Sequence, residues 1–483
     1  MTETLPGLHM SLLETVVVVG AVALVAARWL PRRMRRPVAF NAGLVALLSG
    51  TALVVGSVRW QMVPVLAGAA LVLPFVVAAE LRARSCRPPR RARWWVALPA
   101  SLVCLCLIAI GPAAAWALPT PAFPAPSGSF AVGTSVVEWT DANRPENATP
   151  EADDRRTVVV QLWYPARKSP VDARRAAYLG RTEHEAGIVS NALADYVGVP
   201  GFLLDGLSRA RTHAVVDAPV AEGGGRFPVV LFSPGLGGVR SQNTAWAQEL
   251  ASHGYVVAAL DHPYDSAAVL AGGRTIPTKV TATGDADRDE KLAAGWTAVR
   301  AADLSFVLTQ LDRVARGEVP GPVGGRMDTG RVAVTGHSLG GGAALQAARQ
   351  DSRFDAVINL DGFPHDPDAK PFPQPVLALT QDIRRDIDPD YIPALTHVLT
   401  LSTATSYRLT VPGAAHLTFT DAPLYLPPVG SIVGSLGRTD GARITAGASH
   451  AFLDTTLRGE PDDLATVLPA HGVLTVHSPR GRT

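Results

Sequence analysis

The chain has 483 residues, too many for one ordinary domain, and its net charge of +2 conceals two parts of opposite charge. Residues 1–118 carry 12 Lys and Arg against 3 Asp and Glu, a net charge of +9, whereas the rest carries 32 against 39. The arginines of the basic part lie in short clusters between long apolar runs, which excludes an extended basic surface for nucleic acid. Composition therefore separates an apolar N-terminal part from an acidic remainder.

Four apolar runs within residues 1–118 come close to the roughly 20 residues needed to cross the hydrocarbon core of a bilayer. They span about residues 11–27, 39–58, 61–79 and 95–117. Arginine clusters occupy the first and third connections, and such clusters stay in the cytoplasm. We therefore expect a multi-pass protein of the cell membrane whose N-terminus and catalytic domain are extracytoplasmic. The fourth run ends in "AAAWALP" and also resembles a signal peptide, so its cleavage is an alternative.

The region after the spans begins with a proline-rich segment, residues 119–130, which predicts a stiff linker between the four-helix membrane region, residues 1–118, and a domain at 131–483. Short β-branched runs that end in turn residues predict strands at 157–166, 227–235, 255–263, 331–338, 356–362, 375–382 and 406–416. Helical patterns alternate with them, which predicts an α/β domain with a mostly parallel sheet and helices on both faces. Residues 172–218 interrupt the alternation, and we expect a lid there.

The stretch "VAVTGHSLGGGAALQAA", residues 332–348, contains a G-x-S-x-G motif between a predicted strand and a predicted helix. Gly336 and Gly340 flank Ser338 because a sharp strand-to-helix turn brings neighbouring backbone too close for side chains there. The turn exposes the Ser338 hydroxyl at the carboxyl edge of the sheet, next to a helix N-terminus that favours developing anions. The motif in this context predicts that Ser338 is a nucleophile.

A serine nucleophile requires a base to take its proton and an acid to orient that base. Six histidines follow Ser338, and His416 is the expected base because "VPGAAH" places it in a small-residue loop directly after a strand. Asp361 ends the strand after the nucleophile helix, and Asp382 ends the next strand. Chain position alone leaves both carboxylates open as the acid.

The oxyanion of an acyl-transfer intermediate requires preorganised backbone N–H donors, one after the serine and one from an earlier strand loop. The glycine-rich stretch "FSPGLGG", residues 232–238, supplies such a loop. We expect the amides of Leu236 and Leu339 to be the donors. Nothing in the sequence pairs His262, in "DHPYD", with another residue at metal-ligand spacing. Neither a metal nor an organic cofactor is expected.

A resemblance to a known family covers most of residues 125–460. It rests on "VQLWYPA", "LFSPGLGGVRSQNTAWAQELASHGYVVAALDHPYDS", "GHSLGGGAAL", "INLDGF" and "VPGAAHLTFTD". Together these resemble the serine-dependent platelet-activating factor acetylhydrolases, a lipase-like branch of the α/β-hydrolases. The resemblance implies the α/β-hydrolase fold, with Ser338 as nucleophile, Asp361 as acid and His416 as base, and the same two oxyanion donors.

The expected function is that of a membrane-anchored serine esterase or lipase that hydrolyses short-chain acyl esters, including those of phospholipids, through an acyl-enzyme. Its expected partners are a small ester or lipid substrate and the membrane, and no nucleic acid. One alternative is a membrane sensor or transporter whose hydrolase-like domain only binds a ligand, which is disfavoured because Glu14 is the one ionisable residue inside the spans. Another is an acyltransferase or polyester hydrolase that uses the same triad.

Overall fold

The structure, a computed structural model, describes residues 9–85, 93–170, 172–223, 225–280, 283, 286–366, 370–382 and 389–479. Residues 86–92, which belong to the second arginine cluster, lie outside the described residues. The chain divides into two compact units, residues 1–120 and residues 121–483.

The first unit consists of helices that are long and apolar enough to cross a bilayer, by length and composition. They are α1 Leu12–Ala26, α2 Arg32–Val55, α3 Val63–Arg84 and α4 Trp94–Ala117. The four apolar helices expected from the sequence are thus present. Glu14 is buried and accepts hydrogen bonds from Arg59 Nε at 2.7 Å and Arg59 Nη2 at 2.9 Å, so this charge is paired within the unit.

The last helix of this unit packs closely against the third. A Cβ on Gly111 would overlap the side chain of Val65, so α4 approaches α3 at a distance that only glycine allows. Gln61 Nε2 donates to the carbonyl of Leu118 at 2.9 Å, just beyond the end of α4. The fourth helix is therefore an integral part of the apolar core of this unit.

The second unit is built around an 11-stranded sheet in the order β13-β12-β11-β10-β9-β5-β6-β2-β1-β4-β3. The strands are β1 Ala131–Pro145, β2 Arg155–Ala166, β3 Arg175–Ala177, β4 Arg211–Val216, β5 Phe227–Ser233, β6 Val256–Asp261, β7 Ala268–Ala271, β8 Arg274–Pro277, β9 Met327–His337, β10 Ala356–Leu360, β11 Val376–Gln381, β12 Ser406–Val411 and β13 Val473–His477. Strands β7 and β8 form a separate antiparallel hairpin. The block from β12 to β6 is parallel, and it contains six of the seven strands predicted from the sequence.

Helices cover both faces of this sheet. They are α5 Glu183–Tyr196, α6 Asp205–Arg209, α7 Thr244–Ser252, α8 Ala286–Ala315, α9 Leu339–Gln350, α10 Tyr391–Leu401, α11 Gly430–Val433, α12 Asp440–Leu453 and α13 Leu464–Val467. Alternate residues of β5 point to opposite faces, so Leu231 joins the core beneath α8 and α9, and Phe232 joins the core beneath α7 and α12. The predicted architecture, a mostly parallel sheet between two helical layers, is confirmed.

The order of the central strands creates a crevice at the carboxyl edge of the sheet. From β5 the chain passes through α7 to β6 on one side, whereas β9 pairs with β5 on its other side. The loops that follow β5 and β9 therefore leave the sheet in different directions. Ligands of open α/β sheets bind at such switch points, and Ser338 directly follows β9.

Residues 172–218 form β3, α5, α6 and β4, and part of the expected lid therefore extends the sheet, because β4 pairs with β1. Helix α5 belongs to a separate apolar cluster that also includes Val239, beside the loop after β5, and Phe123 from the proline-rich segment. At the end of α5, the ring of Tyr196 lies so close to Gly237 that a Cβ there would overlap it. The insertion thus contacts the loop at the crevice.

Candidate active site

Ser338 stands at a sharp turn between β9 and α9. Its backbone has φ 54° and ψ −126°, a conformation that costs a non-glycine residue roughly 1–3 kcal/mol. The turn is held by hydrogen bonds from Ser338 N–H to the Leu360 carbonyl at 2.9 Å and from Gly341 N–H to the Ser338 carbonyl at 2.8 Å. Strain of this kind is maintained only where the surrounding structure fixes it, and it is common at reactive positions.

The two glycines of the motif have no room for a side chain. A Cβ on Gly336 would overlap the carbonyl of Gly340, and a Cβ on Gly340 would overlap the carbonyl of Ser233 at the end of β5. Both obstacles are backbone atoms, which cannot move aside. The spacing of the motif therefore follows from the close approach of β9, α9 and β5.

Asp361 follows β10, beside the turn of Ser338, and its side chain is fully buried. Its carboxylate accepts four hydrogen bonds. Oδ1 accepts from Gln381 N–H at 3.0 Å and from the Tyr391 hydroxyl at 3.2 Å, and Oδ2 accepts from Gln381 Nε2 at 2.8 Å and from His416 Nδ1 at 2.7 Å. Such a set of donors fixes the orientation of the carboxylate and of the imidazole.

His416 begins the turn after β12, and its side chain is 40% exposed although its carboxylate partner is buried. Because Nδ1 donates to Asp361, the neutral imidazole keeps Nε2 free of a proton and able to act as a base. The neighbouring His337 connects this loop to the crevice. His337 Nε2 donates to the His416 carbonyl at 3.0 Å, and its Nδ1 accepts from Gln242 Nε2 at 2.8 Å. Burial lowers the pKa of His337 well below its usual range, so this ring is neutral.

The alternative acid, Asp382, is exposed and bonds to the backbone of the loop after β12, ahead of His416. Its Oδ2 accepts from Gly413 N–H at 3.2 Å, in the turn after β12. Gln381, its neighbour in the chain, points to the opposite side and holds Asp361. The structure thus brings Asp361, and not Asp382, into contact with His416.

The loop after β5 lies against the turn of Ser338. A Cβ on Gly235 would be 3.5 Å from Ser338 Cβ, and Gly235 N–H donates to Gln242 Oε1 at 2.9 Å. Within the described part of the chain, neither the Leu236 nor the Leu339 amide donates to another backbone group. The two predicted oxyanion donors therefore belong to segments that meet beside Ser338.

A buried polar network beneath this loop was not anticipated from the sequence. Ser233 Oγ is 2.9 Å from His262 Nε2, and His262 Nδ1 is 2.7 Å from Asp303 Oδ2, so a second Ser-His-Asp set exists. All three side chains are buried, which makes the set inaccessible to a substrate. Burial alone would raise the pKa of Asp303, but Arg156 and His262 hold it far below its usual range. One feature of the sequence could have indicated this network: two charged residues, Arg300 and Asp303, lie on the mostly apolar face of α8.

Comparison with known proteins gives independent evidence for the family of the catalytic region. The family model "Platelet-activating factor acetylhydrolase, isoform II" matches residues 117–317 and 321–463. The chain belongs to the platelet-activating factor acetylhydrolase family. The match leaves out most of the first unit, so membership in the acetylhydrolase family is established for the catalytic region.

Relatives and a solved structure agree with this membership. A probable 1-alkyl-2-acetylglycerophosphocholine esterase of Arthroderma benhamiae is 28% identical over 50% of this chain and 58% of its own length. The platelet-activating factor acetylhydrolase of Cavia porcellus is 29% identical over 46% of this chain and 55% of its own. This chain thus spans just over half the length of these relatives. A ferulic acid esterase of Streptomyces cinnamoneus has a TM-score of 0.58 and 32% identity, over 73% of this chain and 98% of its own.

These findings confirm two predictions. The catalytic region has the α/β-hydrolase fold of an esterase, and it belongs to the acetylhydrolase family that its motifs resemble. Chemically, a strained serine at the sheet edge that also carries a carboxylate-bound imidazole is suited to acyl transfer. An imidazole that reaches the hydroxyl can activate it, and backbone amides near the turn can stabilise an oxyanion.

Proposed function

We propose that this protein is a membrane-anchored serine esterase that hydrolyses short-chain acyl esters, including phospholipids with a short acyl chain. The observation that carries the proposal is the hydrogen bond of 2.7 Å from His416 Nδ1 to the buried Asp361, at the sheet edge where Ser338 is strained. The names of two relatives support the substrate class, since one is called a probable 1-alkyl-2-acetylglycerophosphocholine esterase and the other a platelet-activating factor acetylhydrolase.

In the proposed reaction, Ser338 Oγ attacks the ester carbonyl as its proton passes to His416 Nε2, and the amides of Leu236 and Leu339 hydrogen-bond the oxyanion. The intermediate collapses when His416 protonates the leaving alcohol, which leaves an acyl group on Ser338. Water, deprotonated by the same imidazole, then releases the acid. Asp361 keeps the proton on Nδ1 and stabilises the imidazolium that forms in each half-reaction.

The test uses the full chain in detergent micelles and 4-nitrophenyl esters from acetate to decanoate. We expect turnover that is highest for the short acyl chains and falls by more than about 10³-fold in Ser338→Ala. Vesicles that contain a phosphocholine lipid with a 2-acetyl group should be hydrolysed faster than vesicles of its 2-palmitoyl analogue. Equal turnover by Ser338→Ala contradicts the nucleophile, and an active protein that rejects every acetyl ester contradicts the substrate class.

The proposal includes the orientation in the membrane, with the catalytic unit and the N-terminus on the extracytoplasmic side. The arginine clusters of the first and third connections support it, since positive loops stay inside. The hydrogen bond from Gln61 Nε2 to the Leu118 carbonyl supports an uncleaved chain, because it holds the residue directly after the Ala-x-Ala stretch at the end of α4. A fluorophosphonate that cannot cross membranes should label wild-type protein on intact cells and leave Ser338→Ala unlabelled. Labelling that requires permeabilised cells contradicts this orientation, and absence of any labelling contradicts the esterase and favours a ligand-binding domain.

A further inference from the structure

Arg300, on α8, lies fully buried beneath the loop that follows β5. Its Nε donates to Asp265 Oδ2 at 2.7 Å and its Nη2 donates to Asp265 Oδ1 at 2.6 Å, which is a two-pronged ion pair. The rest of the guanidinium faces the loop. Nη2 donates to the Gly235 carbonyl at 3.0 Å, and Nη1 donates to the Pro234 carbonyl and approaches Ser233 Oγ at 3.4 Å. All five N–H donors of Arg300 thus have acceptors, two of which are backbone carbonyls of this loop.

These carbonyl contacts help to fix where the N–H groups of the loop point, together with the Gly238 N–H, which donates to the Gly235 carbonyl at 2.9 Å. Within the described residues every peptide bond is trans, so the C=O and N–H of each unit point in opposite directions. The Pro234 carbonyl points to Arg300, and the N–H of the same unit, that of Gly235, points away and donates to Gln242 Oε1 at 2.9 Å. In the next unit the Gly235 carbonyl points to Arg300, which turns the Leu236 N–H to the opposite side.

That opposite side is the side of Ser338. Beyond Gly235, away from Arg300, lie Gln242, His337 Nδ1 and Ser338 Cβ, the last at 3.5 Å from a Cβ on Gly235. A rotation of this peptide unit would turn the Leu236 N–H away from the crevice and bring the carbonyl toward the oxyanion. A contact that fixes the direction of the Gly235 carbonyl therefore also fixes the direction of the Leu236 N–H.

We propose that Arg300, fixed by Asp265, is a positioning residue that orients the Leu236 amide as an oxyanion donor from beneath the loop. The proposal rests on the proposed esterase function, because it concerns how that site is preorganised. Arg300 acts through the backbone, and its donors are all directed to Asp265 and the residues Ser233, Pro234 and Gly235.

The energetics favour a positioning role over a role in stability. Burying an arginine and a carboxylate costs several kcal/mol of hydration, and replacing such pairs with apolar residues is often neutral or stabilising. The Arg300–Asp265 pair is buried, and its guanidinium binds the carbonyls of Pro234 and Gly235. We therefore assign it the task of specifying the conformation of the loop after β5. An oxyanion donor has to be preorganised before the charge develops, and removing one costs about 10²–10³ in kcat in other hydrolases.

The test compares wild type with Arg300→Lys in the full chain in detergent, with 4-nitrophenyl acetate and its thiono analogue, in which sulfur replaces the carbonyl oxygen. Sulfur anions accept hydrogen bonds more weakly than oxyanions, so a working oxyanion site favours the oxo ester. The ratio of kcat/KM for the two substrates is measured in one sample and does not depend on how much of the variant is folded. We expect Arg300→Lys to lower this ratio and the kcat for the oxo ester at least tenfold, with KM changed less than twofold.

The matched control is Arg156→Lys, because Arg156 is another buried arginine with a two-pronged carboxylate partner, Asp303, and does not contact the loop. Arg156→Lys should lose about as much thermal stability as Arg300→Lys, but its ratio of kcat/KM for the oxo and thiono esters should equal that of wild type. Asp265→Asn, which retains the guanidinium but loosens it, should lower the ratio less than Arg300→Lys and serves if that variant does not fold. A wild-type ratio in these variants overturns the positioning role. Wild type that fails to hydrolyse the oxo ester, or Ser338→Ala that hydrolyses it equally, overturns the esterase function instead.

Discussion

Replacement of Asp361 by Asn tests the proposed acid with almost no change in volume. The amide must present its NH₂ group either to the Oδ1 side or to the Oδ2 side. On the Oδ1 side the Gln381 backbone N–H lies at 3.0 Å and cannot become an acceptor, so a buried donor would face another donor. Such an unsatisfied buried group costs about 1–3 kcal/mol.

On the Oδ2 side both partners can adapt. The Gln381 side-chain amide can rotate to present its oxygen, and His416 can move its proton from Nδ1 to Nε2. The amide of the variant should therefore face His416 and select the tautomer in which Nε2 is protonated and cannot accept the proton of Ser338. In a triad with this defect, kcat falls about 10⁴-fold, which corresponds to about 5.5 kcal/mol in the barrier.

The assay is the kcat of Asp361→Asn for 4-nitrophenyl acetate, with the melting temperature measured on the same preparation. The control is Asp382→Asn, the other aspartate that chain position allows, which is exposed and bonded to Gly413. We expect it to change kcat less than twofold. Near-normal activity in Asp361→Asn, or a large loss in Asp382→Asn, would refute the reasoning.

Three further outcomes are expected. Gly336→Ala forces a Cβ against the backbone and should destabilise the fold by about 1–3 kcal/mol. The control Gly187→Ala lies in a helix with open space around it and should be neutral or stabilising. Thermal melts that do not show Gly336→Ala as the less stable variant contradict the close approach of backbone at Gly336. Tyr391→Phe removes the 3.2 Å donor to Asp361 and should lower kcat about tenfold with KM unchanged, and an unaltered kcat would make that bond irrelevant to activity. Burial raises the pKa of Asp421 to about 8, although hydrogen bonds from two backbone N–H groups of α7 act to lower it. Between about pH 4 and pH 8 the native state holds a proton on Asp421 that the unfolded chain has lost. The stabilisation from this proton is therefore fully present below about pH 4, and it declines as the pH rises to about 8. The melting temperature of wild type relative to Asp421→Asn should therefore fall between pH 5 and pH 8, and a constant difference would mean that Asp421 is ionised throughout.

The parallel strands and the apolar spans could be predicted because their signals are local. A run such as "FPVVLFSPG" is buried on both faces, so it is continuously apolar and stops at turn residues. The flanking strands β1, β3, β4 and β13 escaped prediction. In β13, for example, several residues are partly or largely exposed at the sheet edge, so the hydrophobic signal is weak.

The sequence by itself determined the reactive turn of this protein. Gly336, Ser338 and Gly340 lie at alternate positions within five residues, and a Cβ on Gly336 would overlap the carbonyl of Gly340 in this same stretch. The obstacle at Gly340, the carbonyl of Ser233, comes instead from β5. It also limited the acid and the base to a few positions after strands. Their assignment as catalytic groups remains a prediction for the variants above.

The order of residues left both aspartates open and the family resemblance implied Asp361, but only the tertiary structure shows which aspartate contacts His416 and what contacts the loop after β5. Asp361 and Asp382 both follow strands, and the choice depends on the direction in which each side chain leaves the sheet and on the donors of Gln381 and Tyr391. Arg300 reaches Pro234 from 66 positions away in the chain. The physical reason is that hydrogen bonds and ion pairs depend on distance and direction in space, which packing of helices on the sheet sets and which the order of residues along one segment does not contain.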